Sequence, residues 1–371
     1  MNLFLTEPGD EPFLLDELRR AFPDAGHQTL APGLVRTDAV LQPSAMPTMA
    51  FARQLLPLSE ALNAVSIREW SERLFDAVGA RVPEGQPWRL HVAPHYEAVN
   101  AIPRNPSPRP SPLLRERERE SERGGATGAG ENRVQFIRDA FQELLRKKRR
   151  HLLRALETDE TPFTAHTTLV QLLLTAPDAG FLSVATAPLP WQLRRCVWPF
   201  VKGELPIASD KAAPSRAFTK LVEAEQRLGL RIAAGETCVD LGACPGSWSY
   251  VALNRGARVT AVDRSPLRAD LMANPHLTFH QGDAFKFTPD APVDWLLCDV
   301  IAAPERSVEL VLDWVRQRRC RRFVVTIKFK GHADYAQLEP LKHALPGLCE
   351  DFFLARLCAN KNEACVAGTV R

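Results

Sequence analysis

The sequence of 371 residues lacks the features that would place it directly among secreted, membrane or zinc-binding proteins. Its eight cysteines form no Cys-x-x-Cys pair and recur at irregular intervals, so buried free thiols are predicted rather than metal ligands or disulfides. No basic-then-apolar segment follows Met1, and no apolar run is long enough to span a bilayer. We therefore expect a monomeric cytosolic protein that does not associate with membranes.

Charge of one sign is not in excess either, since the formal net charge is only +3. A polyanion would therefore have to be bound by a local cluster of cations. Five consecutive cations, Arg146 to Arg150, follow an apolar helical stripe that starts after Val134. Two interpretations stay open: a solvated helix C-terminus, which the helix dipole favours, or a phosphate-binding patch, because adjacent like charges repel unless an anion is present.

Composition divides the chain into four parts. Residues 103–132 are rich in Pro, Arg and Glu, then in Gly, and they have no apolar face, so a disordered insertion is predicted. Helical spacing in 13–22 and apolar strand-like runs predict mixed structure on either side; the runs are 51–58, 88–94, 169–176 and 181–187. The four parts are an N-terminal α+β region at 1–102, the insertion at 103–132, the remainder of the N-terminal region at 133–187, and a domain of alternating strands and helices at 188–371.

In the last part, strand and helix patterns alternate. This alternation predicts an α/β fold with a largely parallel sheet and helices on both faces. Ligands of such sheets bind at the carboxyl ends of the strands. The predicted strands are 237–242, 258–263, 277–283, 293–299, 323–329, 352–358 and 363–370, and the clearest helix is 304–319.

The first of these strands runs into the turn VDLGACPGSWS (239–249), which is neither of the common phosphate-binding patterns. The glycine spacing is Gly-x-x-x-Gly rather than GxGxxG, and no Gly-Lys-Ser/Thr follows. Gly242 and Gly246 would still let the backbone approach a ligand, and Ser247 could cap the next helix. Helix N-terminal NH groups favour an anionic or electron-rich group there.

Three acids end consecutive predicted strands. Asp263 lies where a carboxylate can accept hydrogen bonds from the two ribose hydroxyls of a nucleoside. Asp283 could accept from an adenine amino group, and Asp299 ends the next strand. Each alone would suit a turn or a helix cap, but together they favour an adenosine-containing cofactor.

These residues resemble the FtsJ-like RNA ribose 2′-O-methyltransferases, which use S-adenosyl-L-methionine. The segment APSRAFTKLVEA (213–224) is similar to that family's SRAxxKL motif, and VDLGACPGSWS to its DLGxxPGGW motif, although Ser247 replaces a glycine. A Lys-Asp-Lys-Glu set completes the resemblance, which covers about residues 188–371 and implies a Rossmann-like methyltransferase sheet. The set is Lys220, Asp299, Lys328 and Glu363.

The cysteine of DLGACPG, the FARQ segment (51–54) and the lead-in to APSR resemble one subgroup, the bacterial enzymes that methylate a cytidine ribose of 23S rRNA. Those enzymes carry an N-terminal THUMP-type RNA-binding region, so the resemblance implies a THUMP-like region in residues 1–187. The insertion at 103–132 departs from the subgroup. The implied partner is rRNA, as 23S rRNA or a precursor particle, with Arg146–Arg150 as a candidate phosphate contact.

The resemblance also implies roles for individual residues. Lys328 would accept the proton of the ribose hydroxyl, Asp299 would orient it, and Lys220 and Glu363 would position the ribose. The cofactor-binding residues implied are Ser215, Gly242, Cys244, Pro245, Gly246, Ser247, Asp263, Asp283 and Asp299.

From the residues alone, the protonation state of Lys328 stays open, because burial and Lys220 would lower its pKa whereas Asp299 would raise it. Lys330 is the rival base. His91 and His95 are interpreted as strand residues rather than ligands, and no metal site is expected.

We therefore predict S-adenosyl-L-methionine-dependent 2′-O-methylation of a ribose in rRNA. Two other functions stay open. The first is a non-catalytic RNA-binding or ribosome-assembly protein with a methyltransferase fold, which the Ser247 change suggests. The second is a small-molecule methyltransferase, against which the basic run argues.

Overall fold

Three β-sheets follow one another along the described residues of the computed structural model, which are 1–96, 128–158, 161, 163–359 and 362–371. The first sheet is antiparallel, in the order β2-β3-β1-β4. Its elements are β1 (Asn2–Leu5), α1 (Glu11–Ala21), β2 (His27–Ala31), β3 (Leu34–Thr37) and β4 (Gln54–Leu56). Leu14 and Leu18 of α1 are buried in one cluster with Phe4 and Val35, as the helical spacing in 13–22 predicts. Only three residues of the run 51–58 form a strand.

The second sheet has the order β5-β8-β7-β6, and its β6–β7 pair is parallel. Helices α2 and α3 pack against it, where Ile137, Phe141 and Leu145 are buried with Trp88. Phe136 of the predicted stripe is exposed. The elements are β5 (Glu60–Asn63), α2 (Ile67–Arg81), β6 (Trp88–Pro94), α3 (Gly128–Lys148), α4 (Arg150–Ala155), β7 (Thr168–Leu174) and β8 (Ala179–Ala185).

The predicted insertion, 103–132, lies outside the described residues as far as 127. Its last five residues, 128–132, form the start of α3, so this helix begins earlier than the apolar pattern after Val134 indicates. Disorder is thus the wrong prediction for 128–132, because the helix continues N-terminally beyond its apolar stripe.

The third sheet has seven strands in the order β11-β10-β9-β12-β13-β15-β14. The first five are parallel, and β15 runs antiparallel to both of its neighbours. The elements are α5 (Trp191–Arg194), α6 (Phe218–Leu228), β9 (Thr237–Leu241), α7 (Ser247–Asn254), β10 (Arg258–Asp263), α8 (Ala269–Met272), β11 (Leu277–Gln281), β12 (Val293–Cys298), α9 (Pro304–Arg316), β13 (Cys320–Lys328), α10 (Glu339–Leu348), β14 (Cys349–Ala355) and β15 (Glu363–Val370). The predicted Rossmann-like α/β sheet is confirmed.

Alternate residues of the central strands enter two different cores. Leu296 of β12 packs in one cluster with Val311 of α9, and Leu297 packs in another with Leu221 of α6. Both faces of the sheet are therefore covered, which explains why its strands read as continuous apolar runs. All eight cysteines are free; six are buried, whereas Cys244 and Cys358 are exposed.

Helix α6 is fixed by a buried ion pair. Arg227 Nη2 lies 2.7 Å from Glu223 Oε1, and the two side chains are 1% and 0% exposed. Glu223 also accepts a hydrogen bond from the backbone NH of Cys358, and Arg227 donates one to the carbonyl of Gly203. The pair thereby joins the helix to two segments distant in sequence.

We predict that Glu223→Ala lowers the free energy of unfolding by about 3–5 kcal/mol, because it leaves the Arg227 charge buried without its carboxylate. Urea unfolding of the full chain measures this. Glu72→Ala, which removes the exposed i,i+4 partner of Arg68, is the matched control and should cost less than about 1 kcal/mol. Equal effects of the two substitutions would contradict the prediction.

Candidate active site

Four charged side chains meet at the carboxyl edge of the parallel strands. Asp299 directly follows β12, and Lys328 is the last residue of the adjacent β13. Because β15 is antiparallel, its first residue, Glu363, lies at the same edge and pairs in register with Lys328. Helix α6 brings Lys220 to them, so the structure places all four residues of the predicted Lys-Asp-Lys-Glu set together.

The two carboxylates bridge the two amines. Lys220 Nζ lies 3.1 Å from Asp299 Oδ1 and 2.6 Å from Glu363 Oε1. Lys328 Nζ lies 2.9 Å from Asp299 Oδ1 and 3.8 Å from Glu363 Oε2, and it donates to the Asp299 carbonyl at 2.9 Å. Each charge thus has an opposite charge on either side.

The two lysines are not equivalent. Burial lowers the pKa of Lys220, but Asp299 and Glu363 outweigh it and raise that pKa above its ordinary value, which keeps Lys220 cationic. The Lys220 side chain is 10% exposed and that of Lys328 is 23% exposed. Lys328 is therefore the more exposed of the two amines. Lys330, the rival base, lies in the exposed segment after β13 ends.

Three side chains outside the sequence motifs, Thr326, Asn362 and Tyr335, hold these groups in place. Thr326 donates to Asp299 Oδ1 at 2.5 Å. Asn362 donates to the carbonyl of Phe329 and accepts from Tyr335 Oη at 2.6 Å, so the residues flanking Lys328 and Glu363 are joined. Thr326 lies two residues before Lys328 on the same strand face, and that spacing was the available signal.

The glycine turn has the form that close packing requires. Gly242 has φ +72°, and a Cβ there would lie 2.8 Å from the Cβ of Val300. Gly246 has φ +107°, and a Cβ added there would clash with Leu271 Cδ1. Both positions need glycine, because a side chain would be strained and would displace a neighbour.

Ser247 does not cap helix α7, contrary to the prediction. Gly246 occupies the N-cap position, and Ser247 is the first helical residue. The buried Ser247 hydroxyl instead lies 2.7 Å from the hydroxyl of Ser215. Trp248 Nε1 donates to the Ala217 carbonyl at 2.9 Å, so the SRA segment is joined to the start of α7 by two side chains.

Two of the three predicted acids, Asp263 and Asp283, line one pocket beside this turn. A cavity of about 250 Å³ is lined by Gly242, Asp263, Asp283, Phe285 and Val300, among others. Asp263 accepts from the backbone NH groups of Cys244 and Ser265, at 3.0 and 2.9 Å. Val300 directly follows Asp299, so the cavity adjoins the four-charge cluster.

Asp283 already has partners in this pocket. It accepts from the backbone NH of Phe285 at 3.0 Å and from Arg264 at 3.1 Å. The Phe285 hydrogen bond and Arg264 lower the pKa of Asp283, so it is ionised at neutral pH. Cys244 is an exposed free thiol. Partial burial and the nearby Asp263 raise the pKa of this thiol. Pro245 forms a cis peptide bond with Cys244.

The cations of the basic run lie on the second sheet's helices rather than in this site. Glu143 pairs with Arg146 and Lys147, and the guanidinium of Arg149 stacks 4.5 Å from the centroid of Phe75. Arg150 is exposed and donates to the backbone carbonyl of Arg146. Glu143 thus compensates two cations of the run, whereas Arg150 has no carboxylate within 4.0 Å among the described residues.

His91 and His95 lie beside backbone carbonyls of Pro199 and Pro32, at 3.1 and 2.9 Å. Burial lowers the pKa of His91 to about 3, so it is neutral. Within the part of the chain that the structure describes, no three His, Cys, Asp or Glu side chains are grouped as metal ligands. No helix among those residues has the length and apolar character needed to cross a bilayer.

Part of the chain that contains this site is similar to a known protein family. Residues 213–359 match the FtsJ-like methyltransferase family. The match contains the glycine turn, the acids of the pocket and three of the four clustered charges, and it ends before Glu363. The greater part of the C-terminal sheet therefore lies in a segment that is similar to the FtsJ-like methyltransferases.

Several curated proteins that share one name are similar to part of this chain. The ribosomal RNA large subunit methyltransferase M of Stutzerimonas stutzeri (strain A1501) is 39% identical over 147 residues, 38% of this chain and 42% of that protein. The proteins of that name from Thauera aminoaromatica and Azoarcus sp. (strain BH72) are 43% and 35% identical, over 31% and 44% of this chain and 34% and 44% of theirs. The aligned part thus spans about two fifths of these relatives.

Among solved structures, TrmN from Thermus thermophilus aligns with all of this chain and 99% of its own, at 15% identity and a TM-score of 0.31.

Asp240, which is not among the predicted site residues, is buried beneath the glycine turn. It accepts from the backbone NH and the hydroxyl of Ser249, at 2.9 and 2.7 Å. Burial, together with Asp299 and Asp263, raises its pKa to about 7, although the Ser249 hydrogen bonds oppose this. The start of α7 thereby rests on a carboxyl that binds a proton near neutral pH.

We predict that Asp240→Asn reduces the loss of stability between pH 5 and pH 8. The folded protein holds a proton that the unfolded chain releases above about pH 4, so the free energy of unfolding falls as the pH rises towards 7. Asn keeps the acceptor for Ser249 and should remove roughly 2–4 kcal/mol of this dependence, measured by urea unfolding at each pH. The exposed Asp290→Asn is the control, and equal pH dependence in both variants would refute the assignment.

Proposed function

We propose that this protein transfers a methyl group from S-adenosyl-L-methionine to a ribose 2′-hydroxyl of rRNA, with a cytidine of 23S rRNA as the target. The observation that carries the proposal is the four-charge cluster, which adjoins a glycine-turned pocket in an FtsJ-like domain. The curated relatives, named as large-subunit rRNA methyltransferases, support the choice of rRNA.

The pocket residues suit the proposed cofactor. Glycine is required at 242 and 246, so the backbone there can approach a ligand closely. Asp263 and Asp283 offer carboxylate oxygens for ribose hydroxyls and an amino group, and Phe285 and Val300 offer apolar surface for a flat base. When bound, the cofactor supplies an electrophilic methyl group on a sulfonium. An amino group at Asp283 would share or replace the Arg264 contact.

In this proposal, Lys328 accepts the proton that the 2′-hydroxyl loses as its oxygen attacks the methyl carbon. Lys328 is the more exposed of the two amines. Its amine must be uncharged when the substrate is bound, because only an uncharged amine can accept a proton. Lys220 stays cationic and compensates one of the two carboxylates, so the cluster carries one net negative charge when Lys328 is uncharged. Asp299 orients Lys328, and Lys220 with Glu363 fixes the ribose.

Ser247 is compatible with catalysis. Its hydroxyl is buried against Ser215, so it occupies space between α7 and the SRA segment instead of the pocket. The Ser247 change is therefore a weak reason to favour a non-catalytic RNA-binding protein. Such a protein would also have no need of the four-charge cluster.

We further propose that the N-terminal region, 1–187, is THUMP-like and binds RNA through cations that include Arg150. Its helices α3 and α4 present the basic run on one side of the second sheet, where a phosphate backbone could contact it.

We expect Lys328→Ala to retain S-adenosyl-L-methionine binding and to lose methyl transfer, by roughly 10²-fold or more, because no general base remains. Labelled donor and rRNA that lacks the modification measure transfer, and calorimetry measures cofactor binding. Lys330→Ala is the matched control and should keep normal turnover. If Lys328→Ala turns over normally, the base assignment is wrong; if the wild type labels no RNA but binds it, the non-catalytic function is favoured.

Arg150→Ala should weaken RNA binding and reduce its salt dependence. Loss of one phosphate contact lowers the slope of log affinity against log salt by about 0.7 for single-stranded RNA. Fluorescence anisotropy over a salt series gives the slope. Arg316→Ala, which removes an exposed cation from α9, is the control of equal charge. A slope that is unchanged in Arg150→Ala would exclude this residue as a phosphate contact.

A further inference from the structure

A second cavity, of about 370 Å³, lies between the N-terminal region and the methyltransferase domain. Arg89 of β6 and Phe163 line it from the N-terminal side. The segment that links the two regions contributes Arg194 to Phe200, and the C-terminal end of α6 contributes Glu225 to Arg231. A ligand here would touch both regions at once.

The lining carries five arginines and one carboxylate. That carboxylate, Glu225, is already occupied by Arg255 and the backbone NH of Ile232, both at 2.9 Å. Three of the arginines pair with carboxylates; the pairs are Arg195–Asp351, Arg227–Glu223 and Arg89–Glu157. For Arg194 and Arg231, the described residues offer no carboxylate within 4.0 Å.

Two buried hydrogen-bond donors of residues that line this cavity are unsatisfied among the described residues. Arg194 Nε and Trp198 Nε1 are buried, and neither has an acceptor among the described residues. Burial and the neighbouring Arg195 lower the pKa of Arg194, and the more distant carboxylate of Asp351 opposes this only in part. Unsatisfied buried donors are unfavourable, so an incoming group with several acceptor oxygens would stabilise this arrangement.

We propose that this junction cavity binds a phosphate group of the RNA substrate through Arg194 and Arg231. The inference rests on the proposed function for its choice of RNA. Guanidinium groups match phosphate oxygens in geometry, and the rings of Phe163 and Phe200 offer faces for an adjacent base. Leu228 at the cavity lies eight helical residues from Lys220, or about 12 Å along α6, so one RNA strand can reach both sites.

The test compares the double variant Arg194→Ala/Arg231→Ala with Arg68→Ala/Arg316→Ala, which removes two exposed cations elsewhere. The probe is a fluorescein-labelled fragment of the rRNA, and its affinity is measured by anisotropy over a salt series with the full chain. We expect the junction variant to bind at least 10-fold more weakly than the control, with a salt slope lower by about 1.4. S-adenosyl-L-methionine binding should be unchanged.

Folding is checked by thermal melting, and Arg194→Lys/Arg231→Lys, which retains both charges, should restore most of the affinity. If the junction variant binds RNA as well as the control while the wild type methylates rRNA, this inference fails and the proposed function stands. If the wild type neither binds nor methylates RNA, the proposed function fails first.

A 4-thiouridine-containing fragment distinguishes RNA from a small anion. A cross-link to 191–200 or 225–231 supports the proposal. If inorganic phosphate or ADP alone protects these segments from hydrogen–deuterium exchange and no RNA cross-link forms, the proposal is overturned in favour of a small-anion site.

Discussion

The site depends on the antiparallel pairing of β13 with β15, which sets Glu363 opposite Lys328. The parallel strands alone would bring Asp299 and Lys328 to one edge, but the fourth charge has to enter from the opposite chain direction. With Glu363 in register, each amine lies between two carboxylates, and Lys220 is held cationic. The exposure of Lys328 follows from the same geometry, since the strand ends at that residue.

The N-terminal region is packed directly behind these charges. Phe13 and Phe51 contact the ring of Tyr335, with centroids 4.7 and 4.8 Å away, and Tyr335 in turn contacts Phe329. Phe329 follows Lys328, and Asn362, which Tyr335 holds, precedes Glu363. The residues next to Lys328 and Glu363 thus pack against elements of the first region, so the two regions share one structural core near the four-charge cluster.

Much of the site could be predicted from local patterns. Apolar runs ending in Asp or Lys placed Asp263, Asp299 and Lys328 at strand ends, because parallel strands of one sheet end at one edge. Other contacts had no local signature. Asp240 belongs to the DLG motif, but the motif does not indicate that this carboxyl is buried against Ser249, and Ser247 pairs with Ser215, 32 residues earlier, instead of capping its own helix. Such contacts depend on which side chains meet across elements.

The sequence by itself determined the α/β class and the glycine turn, because these follow from periodicity and backbone freedom along a few positions. Its resemblance to a known family indicated which four charges would cluster. Only the tertiary structure decided the register of Glu363 and the unequal exposure of the two lysines. It also decided the cavity at Arg194, whose lining comes from residues 89 to 231. Distances between segments far apart in the chain are set by packing, which no local pattern encodes.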